Sequence, residues 1–372
     1  MAATLIDELR AFARAAVEAG NPEGMTADEA DVLADRSDGT VLGYGAVVAK
    51  AHPPPRPGRG APARRDDRAG GEHSDGDVEL TVRLGIAAHP CLTGILLPPI
   101  GAARGVPQPR RLPGGRLATL WPRGTPVSPD APDAVPWEAA GVLLARLHAV
   151  RPGDLAGDLP APVPAMRGPA KAARAMRRLR SARGAGEGAA TGTASPGSLA
   201  PELAAAADAV ETAWALLPPW CRDEAPPPAS RAGSLCHGDF HLGQLISHPR
   251  CGGSWLLIDV DDLGLGDPAW DLARPAAWYA SGLLDPADWE RFLGAYRHTA
   301  GEHCRDPWPL LDAPARTLTA QTAALGIVKA HAAGRPLDEA ESACVEACVR
   351  MAHVDTTSTT RTISTGGRET NT

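Results

Sequence analysis

The stretch 235–273 restricts more than any other what this chain can fold into. It contains two short apolar runs, LIS and WLLI, separated by a segment with a proline and paired glycines that suits a tight turn. This pattern predicts a β-hairpin. The start of the first strand in an antiparallel pair lies beside the end of the second. We therefore expect Asp239 and Gln244 to approach Asp259.

Two carboxylates and an amide oxygen at one end of a hairpin suit Mg²⁺, which prefers a few carboxylates together with phosphate oxygens. Chemistry on a metal-bound nucleotide also needs a proton acceptor for the attacking hydroxyl and a cation on the phosphates. Lys50, at the end of a β-prone run, is a candidate for that cation, the alternative being an ordinary exposed lysine. It is one of only three lysines among 37 basic residues, in a chain that otherwise uses arginine.

Three stretches contain little that could be buried and separate the better-patterned regions. We expect residues 53–77 to be a disordered insertion, 184–199 a linker and 354–372 a disordered tail, because Pro, Gly, Ser, Thr and charged residues dominate them. The rest predicts an α+β, two-lobed protein. A small mixed N-terminal lobe spans 1–124 and a larger, mainly helical lobe spans 125–353.

Local patterns predict the individual elements. Strands are expected twice within 40–50 and at 94–98 and 116–121, and helices at 78–89, 137–150, 167–183, 269–300 and 313–353. The many cations of 167–183 favour a solvated helix face over a ligand site. Asp267, just before Pro268, is expected to cap a helix.

Composition excludes several classes of function. A net charge of −7 argues against nucleic acid as a partner. No window approaches the roughly 20 apolar residues of a membrane helix, and no signal peptide is visible. Seven cysteines without CxxC spacing favour reduced thiols in the cytoplasm, with Cys344 and Cys348 as small core residues. Residues 201–353 hold 21 acidic and 11 basic residues, which would favour a cationic ligand or simply confer solubility.

The same segment resembles the aminoglycoside phosphotransferase and related small-molecule kinase family, which has a protein-kinase-like fold. The family pattern is HGDxHxxN, an apolar strand ending in Asp, and then GxPxxDLA. Here it reads HGDFHLGQ at 237–244, LID at 257–259 and GDPAWDLA at 266–273. Gln244 replaces the family's asparagine, as in the similar maltokinase branch, and keeps the carbonyl oxygen. VVAK, ending at Lys50, resembles the family's ATP lysine motif.

The resemblance implies an ATP- and Mg²⁺-dependent phosphotransferase acting on a hydroxyl of a small molecule, as a monomer or homodimer. By that resemblance Asp239 would orient or deprotonate the acceptor hydroxyl, and Asp259 with Gln244 would hold Mg²⁺. Asp271 would brace the catalytic loop, in which His237 would be structural.

On the nucleotide side, the resemblance implies that Lys50 meets the α- and β-phosphates. Glu79 is the candidate partner of Lys50, with Glu72 as the alternative. Leu120 and Trp121 lie in the segment that resembles the hinge between the lobes and would contact the nucleotide.

Two other functions remain open. The chain has no convincing GxGxxG loop before Lys50 and carries Gln244, which would fit a catalytically silent, kinase-like nucleotide-binding protein. A zinc metallohydrolase is the other, and its candidate ligands are His237, His241, His248 and Asp259. Asp261 and Asp262 could touch a second ion or be solvated turn residues.

Overall fold

The computed structural model describes residues 4–20, 30–36, 39–53, 75–102, 105–128, 130–131, 134–184, 199–249, 252–301 and 306–364. The chain divides into two compact units. The first, here the sheet unit, comprises Met1–Met166 and Leu242–Leu265; the second, the helical unit, comprises Arg167–His241 and Gly266–Thr372.

An antiparallel sheet forms the centre of the sheet unit. Its strands are β1 (Asp31–Arg36), β2 (Gly39–Tyr44), β3 (Val47–Ala51), β4 (Arg110–Arg111) and β5 (Leu117–Pro122). Their order in the sheet is β1-β2-β3-β5-β4. Helix α1 (Leu5–Gly20) buries Leu9 and Ala13 with Leu42 and Ala49 of the sheet, which removes their apolar surface from water. The two strands expected within 40–50 and the strand expected at 116–121 are confirmed.

The hairpin from the 235–273 segment lies in the sheet unit. Its strands β8 (Leu245–His248) and β9 (Ser254–Leu257) pair antiparallel, and β6 (Thr125–Pro126) pairs with β8. Leu257 donates a backbone hydrogen bond to Ile95 and accepts one from Leu97, both 2.9 Å. These bonds, rather than proximity in sequence, place the hairpin in this unit, so the unit differs from the contiguous lobe 1–124 that we predicted.

The expected strand at 94–98 is wrong. The structure has a single β-bridge there, between Leu96 and Leu257. Gly94 has φ +74°, and the two prolines that follow Leu97 have no N–H to donate to a neighbouring strand. The unit also contains the helices α2 (Asp75–Ala88) and α3 (Trp137–Ala149) and the first residues of β10 (Gly264–Gly266).

The helical unit contains the other six helices of the described residues and one short strand. They are α4 (Gly168–Gly184), α5 (Pro201–Ala215), β7 (Ser234–Cys236), α6 (Ala269–Ala280), α7 (Pro286–Ala300), α8 (Trp308–Ala333) and α9 (Glu339–Ser364). Cys344 and Cys348 are buried on α9, as predicted. The Asp267 carboxylate accepts a hydrogen bond from the Ala269 backbone N–H at 2.9 Å, so its predicted capping role is confirmed.

The predicted disordered segments overlap the described residues only in part. Residues 54–74 and 185–198 lie outside them, whereas α2 already begins at Asp75. Helix α9 continues to Ser364, into the predicted tail, because an established helix gains one hydrogen bond for each residue added. Among the described residues, none of the helices combines the length and apolar character required to cross a bilayer.

Gly264 provides a test of this packing. A Cβ there would lie 2.3 Å from the Pro164 carbonyl oxygen, because the backbones bond through Leu265 N–H to Pro164 O and Met166 N–H to Leu265 O. We expect Gly264→Ala to lower the free energy of unfolding by about 1–3 kcal/mol, measured by urea denaturation.

The matched control is Gly294→Ala, in the middle of α7, where a Cβ would meet no atom within 4 Å. This change is expected to stabilise the protein by about 0.5–1 kcal/mol. Equal effects of the two changes would contradict the close approach at Gly264.

Candidate active site

The hairpin brings Gln244 and Asp259 together. Leu245 pairs with Leu257, and the Ile258 N–H donates to the Gln244 carbonyl at 2.9 Å. Gln244 comes one residue before this pair and Asp259 two residues after it, and the Gln244 Nε2 lies 3.4 Å from Asp259 Oδ2. This part of the predicted convergence follows directly from antiparallel register. Asp239 belongs to the helical unit and is described there.

Asp259 adopts a left-handed backbone conformation with φ +65°. Such a conformation is uncommon for residues other than glycine, although aspartate tolerates it better than most. It begins a 3₁₀ turn, Val260–Asp262, and its side chain accepts a 3.4 Å hydrogen bond from the Asp261 N–H. Non-glycine residues held at positive φ concentrate at functional sites, where the surrounding structure sustains the strain.

Lys50 extends from β3 to these aspartates. Its Nζ lies 2.6 Å from Asp259 Oδ1 and 2.9 Å from Asp261 Oδ2. The side chain is only 13% exposed. Burial by itself would lower the pKa of Lys50, but the two carboxylates outweigh it and raise the pKa above its ordinary value. Lys50 is therefore a permanently charged ammonium group rather than an ordinary surface lysine.

His52 completes this network. It follows Lys50 by two residues, and its Nδ1 lies 2.8 Å from Asp261 Oδ1 while its Nε2 is 2.8 Å from Thr119 Oγ1. Burial would raise the pKa of Asp261, but His52 and Lys50 together hold it well below its ordinary value. Sequence reasoning missed His52 and left Asp261 as a turn residue or ion ligand. The two-residue spacing, which places Lys50 and His52 on one face of the extended chain, was the available signal.

Glu79 does not pair with Lys50 in the structure. Its carboxylate lies 2.9 Å from the guanidinium of Arg83, one turn along α2. The buried Arg83 also donates to the Leu263 carbonyl at 2.8 Å. Lys50 instead contacts the carboxylates of Asp259 and Asp261, so the structure does not contain the predicted pair of Glu79 and Lys50. The alternative, Glu72, lies outside the described residues.

Leu120 and Trp121 lie on β5 opposite Ala49 and Val48. The Leu120 carbonyl accepts a hydrogen bond from the Ile100 N–H at 2.9 Å. The Trp121 indole is buried and donates to Thr119 Oγ1 at 2.9 Å. The strand next to β3 thus carries both residues predicted to contact the nucleotide.

In the helical unit, Asp239 is held between two cations. Lys171 Nζ lies 2.5 Å from Asp239 Oδ2, and Arg274 Nη2 donates to Oδ1 at 3.1 Å. Burial would raise the pKa of Asp239, but Lys171 and Arg274 outweigh it and keep the pKa below its ordinary value. A carboxylate of this kind stays ionised at physiological pH and is a strong hydrogen-bond acceptor, although a weak base.

The loop that carries Asp239 is braced from α6. The fully buried Asp271 carboxylate accepts hydrogen bonds from the backbone N–H groups of His237 at 2.6 Å and Gly238 at 2.8 Å. Gly238 has φ +83°, a conformation that favours glycine. The His237 ring is buried edge-on against Phe240, with ring centres 6.4 Å apart. His237 is thus placed as part of the loop's packing.

His241 follows this loop and is uncharged at neutral pH. Burial is the main reason that its pKa falls to about 4, with Asp239 opposing the shift. His237 and His241 lie in the helical unit and His248 in the sheet unit. Among the described residues, none of these three histidines belongs to a cluster of three potential metal ligands.

Lys171 and Arg274 both contact Asp239, and sequence reasoning missed both of them. We predicted a solvated face for the cations of α4, yet Lys171 is 22% exposed and pairs with Asp239. The available signal was the choice of lysine in a chain that uses arginine by default. Arg274, directly after the DLA motif, carried no comparable signal.

The residues of the sheet unit fit a magnesium ion. Asp259 provides carboxylate oxygens, and rotating the Gln244 side-chain amide by half a turn exchanges its nitrogen for its oxygen, another hard donor. Mg²⁺ bound there would supply positive charge for the phosphate oxygens of a nucleotide. Imidazole and thiolate groups, which would favour other metals, do not contribute to this pair.

The sheet unit thus carries a strand-borne ammonium group beside an aspartate that follows a hairpin, and the helical unit carries a braced loop aspartate. The model of the phosphotransferase enzyme family matches residues 101–313, more than half of the sequence, and the chain belongs to that family. It is accordingly an enzyme that transfers phosphate to a hydroxyl group of a small molecule. Among curated protein sequences, none matches this chain.

Three solved structures illustrate what the chain is similar to. A spectinomycin phosphotransferase, in complex with ADP and spectinomycin, is 13% identical with a TM-score of 0.51, covering 92% of this chain and 97% of its own. A macrolide 2'-phosphotransferase from Brachybacterium faecium is 19% identical with a TM-score of 0.41, covering 93% and 97%. An ethanolamine kinase from Plasmodium vivax is 10% identical with a TM-score of 0.47, covering 90% and 85%. The first of these shows the α+β, protein-kinase-like fold.

The buried network around Lys50 predicts a stability effect. Asp261→Asn removes one of the two carboxylates that compensate Lys50 and leaves His52 facing an amide. We expect a loss of about 1–3 kcal/mol in the free energy of unfolding, measured by urea denaturation at pH 7.

Because the depressed pKa keeps Asp261 ionised, this loss should persist into mildly acidic solution and disappear only as pH falls through that pKa. The control is Glu18→Gln, which breaks the ion pair of Arg14 and Glu18 on α1, where both side chains are about two-thirds exposed. It should cost less than about 0.5 kcal/mol. Similar costs for the two variants would contradict a structural role of the network.

The contact of Lys171 with Asp239 predicts how substitution of Lys171 changes the pH dependence of kcat/KM. If Asp239 takes a proton from the acceptor hydroxyl, it must be ionised to do so, and the acidic limb of kcat/KM should then follow its lowered pKa. Lys171→Met removes the nearer cation, raises the pKa of Asp239 and should move that limb to higher pH. Arg180→Met on the same helix, which breaks an ion pair with Glu211, is the control and should leave the limb in place. A limb unchanged in both variants would show that Lys171 does not control Asp239.

Proposed function

We propose that the protein is an ATP- and Mg²⁺-dependent kinase that transfers the γ-phosphate to a hydroxyl of a small molecule. The observation that carries this proposal is the contact between Lys50 of β3 and Asp259 after β9, two residues 209 positions apart in the chain. A fixed cation beside a carboxylate suited to a metal is what binding of a metal–nucleotide complex requires.

Lys50 would bind the α- and β-phosphates, and Asp259 with Gln244 would hold the metal. Leu120 and Trp121, on the strand that pairs with β3, would contact the nucleotide. Phosphate oxygens would replace part of the negative charge that Asp259 and Asp261 now present to Lys50. This exchange requires no change in the charge of Lys50, because its raised pKa keeps it protonated throughout.

Asp239 would orient the acceptor hydroxyl and take its proton. In the step, the hydroxyl oxygen forms a bond to the γ-phosphorus, the bond from that phosphorus to the β,γ-bridging oxygen breaks, and ADP leaves. The proton of the hydroxyl passes to Asp239. Because the pKa of Asp239 is low, this transfer is expected late in the step, and orientation is the larger contribution. Asp271 would act by holding the loop that positions Asp239.

The solved spectinomycin phosphotransferase was determined in complex with ADP and spectinomycin. Membership of the phosphotransferase family supports the same reaction type here. Acceptors differ within one fold, because the site rather than the fold selects them.

Asp239→Asn tests the proposal. Turnover should fall by at least about 10³-fold, because the amide neither accepts the proton nor keeps the charge, whereas nucleotide binding should be unchanged. Turnover is measured as ADP release with a panel of hydroxylated acceptors, and nucleotide binding by calorimetry with and without Mg²⁺. Asp208→Asn, an exposed aspartate on α5 paired with Arg183, is the matched control. Retained turnover in Asp239→Asn would refute the role of Asp239. Nucleotide binding by the unaltered protein without transfer to any acceptor would favour the silent kinase-like alternative.

A further inference from the structure

Lys50 has two carboxylate partners within the sheet unit, and the proposed function uses one of them as a metal ligand. Its Nζ lies 2.6 Å from Asp259 Oδ1 and 2.9 Å from Asp261 Oδ2. A carboxylate that binds a metal ion shares its negative charge with that ion, which makes it a weaker partner for an ammonium group. Once Asp259 serves as a metal ligand, Asp261 is therefore the stronger of these two partners of Lys50.

Asp261 is also held from its other side, independently of Lys50. Its Oδ1 lies 2.8 Å from His52 Nδ1, while its Oδ2 faces Lys50. The His52 ring is itself fixed, because its Nε2 lies 2.8 Å from Thr119 Oγ1, which accepts a 2.9 Å hydrogen bond from the Trp121 indole. His52 and Thr119 are buried, so water competes little for these contacts. The two oxygens of Asp261 thus have separate partners, one that anchors the side chain and one that it can position.

The sheet sets the spacing of both partners of Asp261. Lys50 lies directly opposite Thr119 in the antiparallel pairing of β3 with β5. The His52 N–H continues that pairing by donating to the Leu117 carbonyl at 2.8 Å. Residues two apart in an extended chain project from the same face, and Lys50 and His52 both reach Asp261 for this reason.

The carboxylate of Glu79, by contrast, is engaged elsewhere. It lies 2.9 Å from the Arg83 guanidinium, and the buried Arg83 also donates to the Leu263 carbonyl at 2.8 Å. A movement of Glu79 toward Lys50 would take a carboxylate away from a buried cation, which is costly. Asp261 needs no such movement, because it already contacts Lys50.

We propose that Asp261 is the positioning residue of Lys50 in the nucleotide complex, where it holds the ammonium group on the α- and β-phosphates while Asp259 serves as the metal ligand. His52 supports this role by anchoring Asp261. In this role Asp261 acts through Lys50 and not as a second metal ligand. The inference rests on the proposed function and adds a residue to it.

Asp261→Asn provides the first test, using the full chain, Mg²⁺ and the acceptor with the highest turnover in the panel. The variant removes negative charge, so the phosphates should still be attracted and KM for ATP should rise by less than about threefold. Lys50 would no longer be held where charge develops on the phosphates, and kcat should fall by at least about tenfold. A smaller fall in kcat, or a larger rise in KM for ATP, would overturn the inference.

If Asp261→Asn does not fold, His52→Gln takes its place. The glutamine amide can reach the position of the His52 Nε2 and keep the contact with Thr119, but it leaves Asp261 without its anchor. We expect the same split, a lower kcat at an unchanged KM for ATP. An unchanged kcat in folded His52→Gln would contradict the anchoring of Asp261 and overturn the inference.

A double-mutant cycle separates positioning from a direct role. Asp261→Asn is introduced into the Lys50→Met background, and kcat is measured by ADP release. If Asp261 acts through Lys50, the second substitution should lower kcat by less than about threefold in that background. A larger further fall would show that Asp261 acts directly, as a metal ligand or in folding, and would overturn the inference.

Glu79→Gln tests the competing carboxylate. Because Glu79 pairs with Arg83 rather than with Lys50, kcat is expected to stay within about threefold of that of the unaltered protein. A larger fall that is absent from the Lys50→Met background would assign the positioning role to Glu79 and would overturn the inference.

A spectroscopic readout does not depend on phosphate transfer. The chain has three lysines, so isotopic labelling of lysine at Nζ gives at most three side-chain nitrogen signals in an NMR spectrum, and Lys50→Met identifies that of Lys50. In the complex with Mg²⁺ and ADP, Asp261→Asn should shift the Lys50 signal, whereas Glu79→Gln should leave it in place. An unshifted signal in Asp261→Asn would show that the contact is lost when nucleotide binds and would overturn the inference.

Failure of the proposed function has a different signature. If ADP binds with Mg²⁺ but no acceptor is phosphorylated, the proposed reaction is wrong, and the Lys50 signal in the ADP complex decides the inference by itself. If calorimetry detects binding of neither ADP nor ATP, the proposed function and the inference are both overturned.

Discussion

The contact of Lys50 with Asp259 and Asp261 is the interaction on which the chemistry of the sheet unit depends. A buried ammonium group is costly unless carboxylates compensate it, and buried carboxylates need cations for the same reason. Here the Lys50 ammonium group and the two carboxylates compensate one another's charge, and His52 stabilises Asp261. Ion pairs therefore connect β3 with the turn that follows the hairpin. A bound nucleotide would enter a network whose charges are already in place.

The helical unit repeats this principle with different elements. Asp239 is kept ionised by Lys171 and Arg274, while Asp271 fixes the backbone of its loop through two N–H groups. Two of the chain's three lysines thus contact aspartates, one lysine in each unit, and the compact ammonium group of each meets a carboxylate at close range. The chemistry assigned to Asp239 depends on these neighbours, because they set its charge and its hydrogen-bonding geometry.

Local signals were sufficient for much of the fold and for part of the site. The antiparallel register of the hairpin predicted that Gln244 would meet Asp259, and helical periodicity located α3. The helical stretch expected at 269–300 contains two helices, α6 and α7. Pairings across long separations could not be read in this way, since no local pattern relates Lys171 to Asp239 or His52 to Asp261. Glu79 was the candidate because it lies on the helix expected at 78–89, but Arg83, four residues further along that helix, pairs with its carboxylate.

The positive φ of Asp259 has a consequence for which sequences can keep this activity. Glycine and asparagine tolerate that backbone conformation but carry no charge, and glutamate carries the charge on a longer, less tolerant side chain. Aspartate alone combines a short acidic side chain with the backbone that the turn requires. Two constraints therefore restrict substitutions at this position. The positive φ excludes most side chains by steric conflict, and the contact with Lys50 requires a carboxylate.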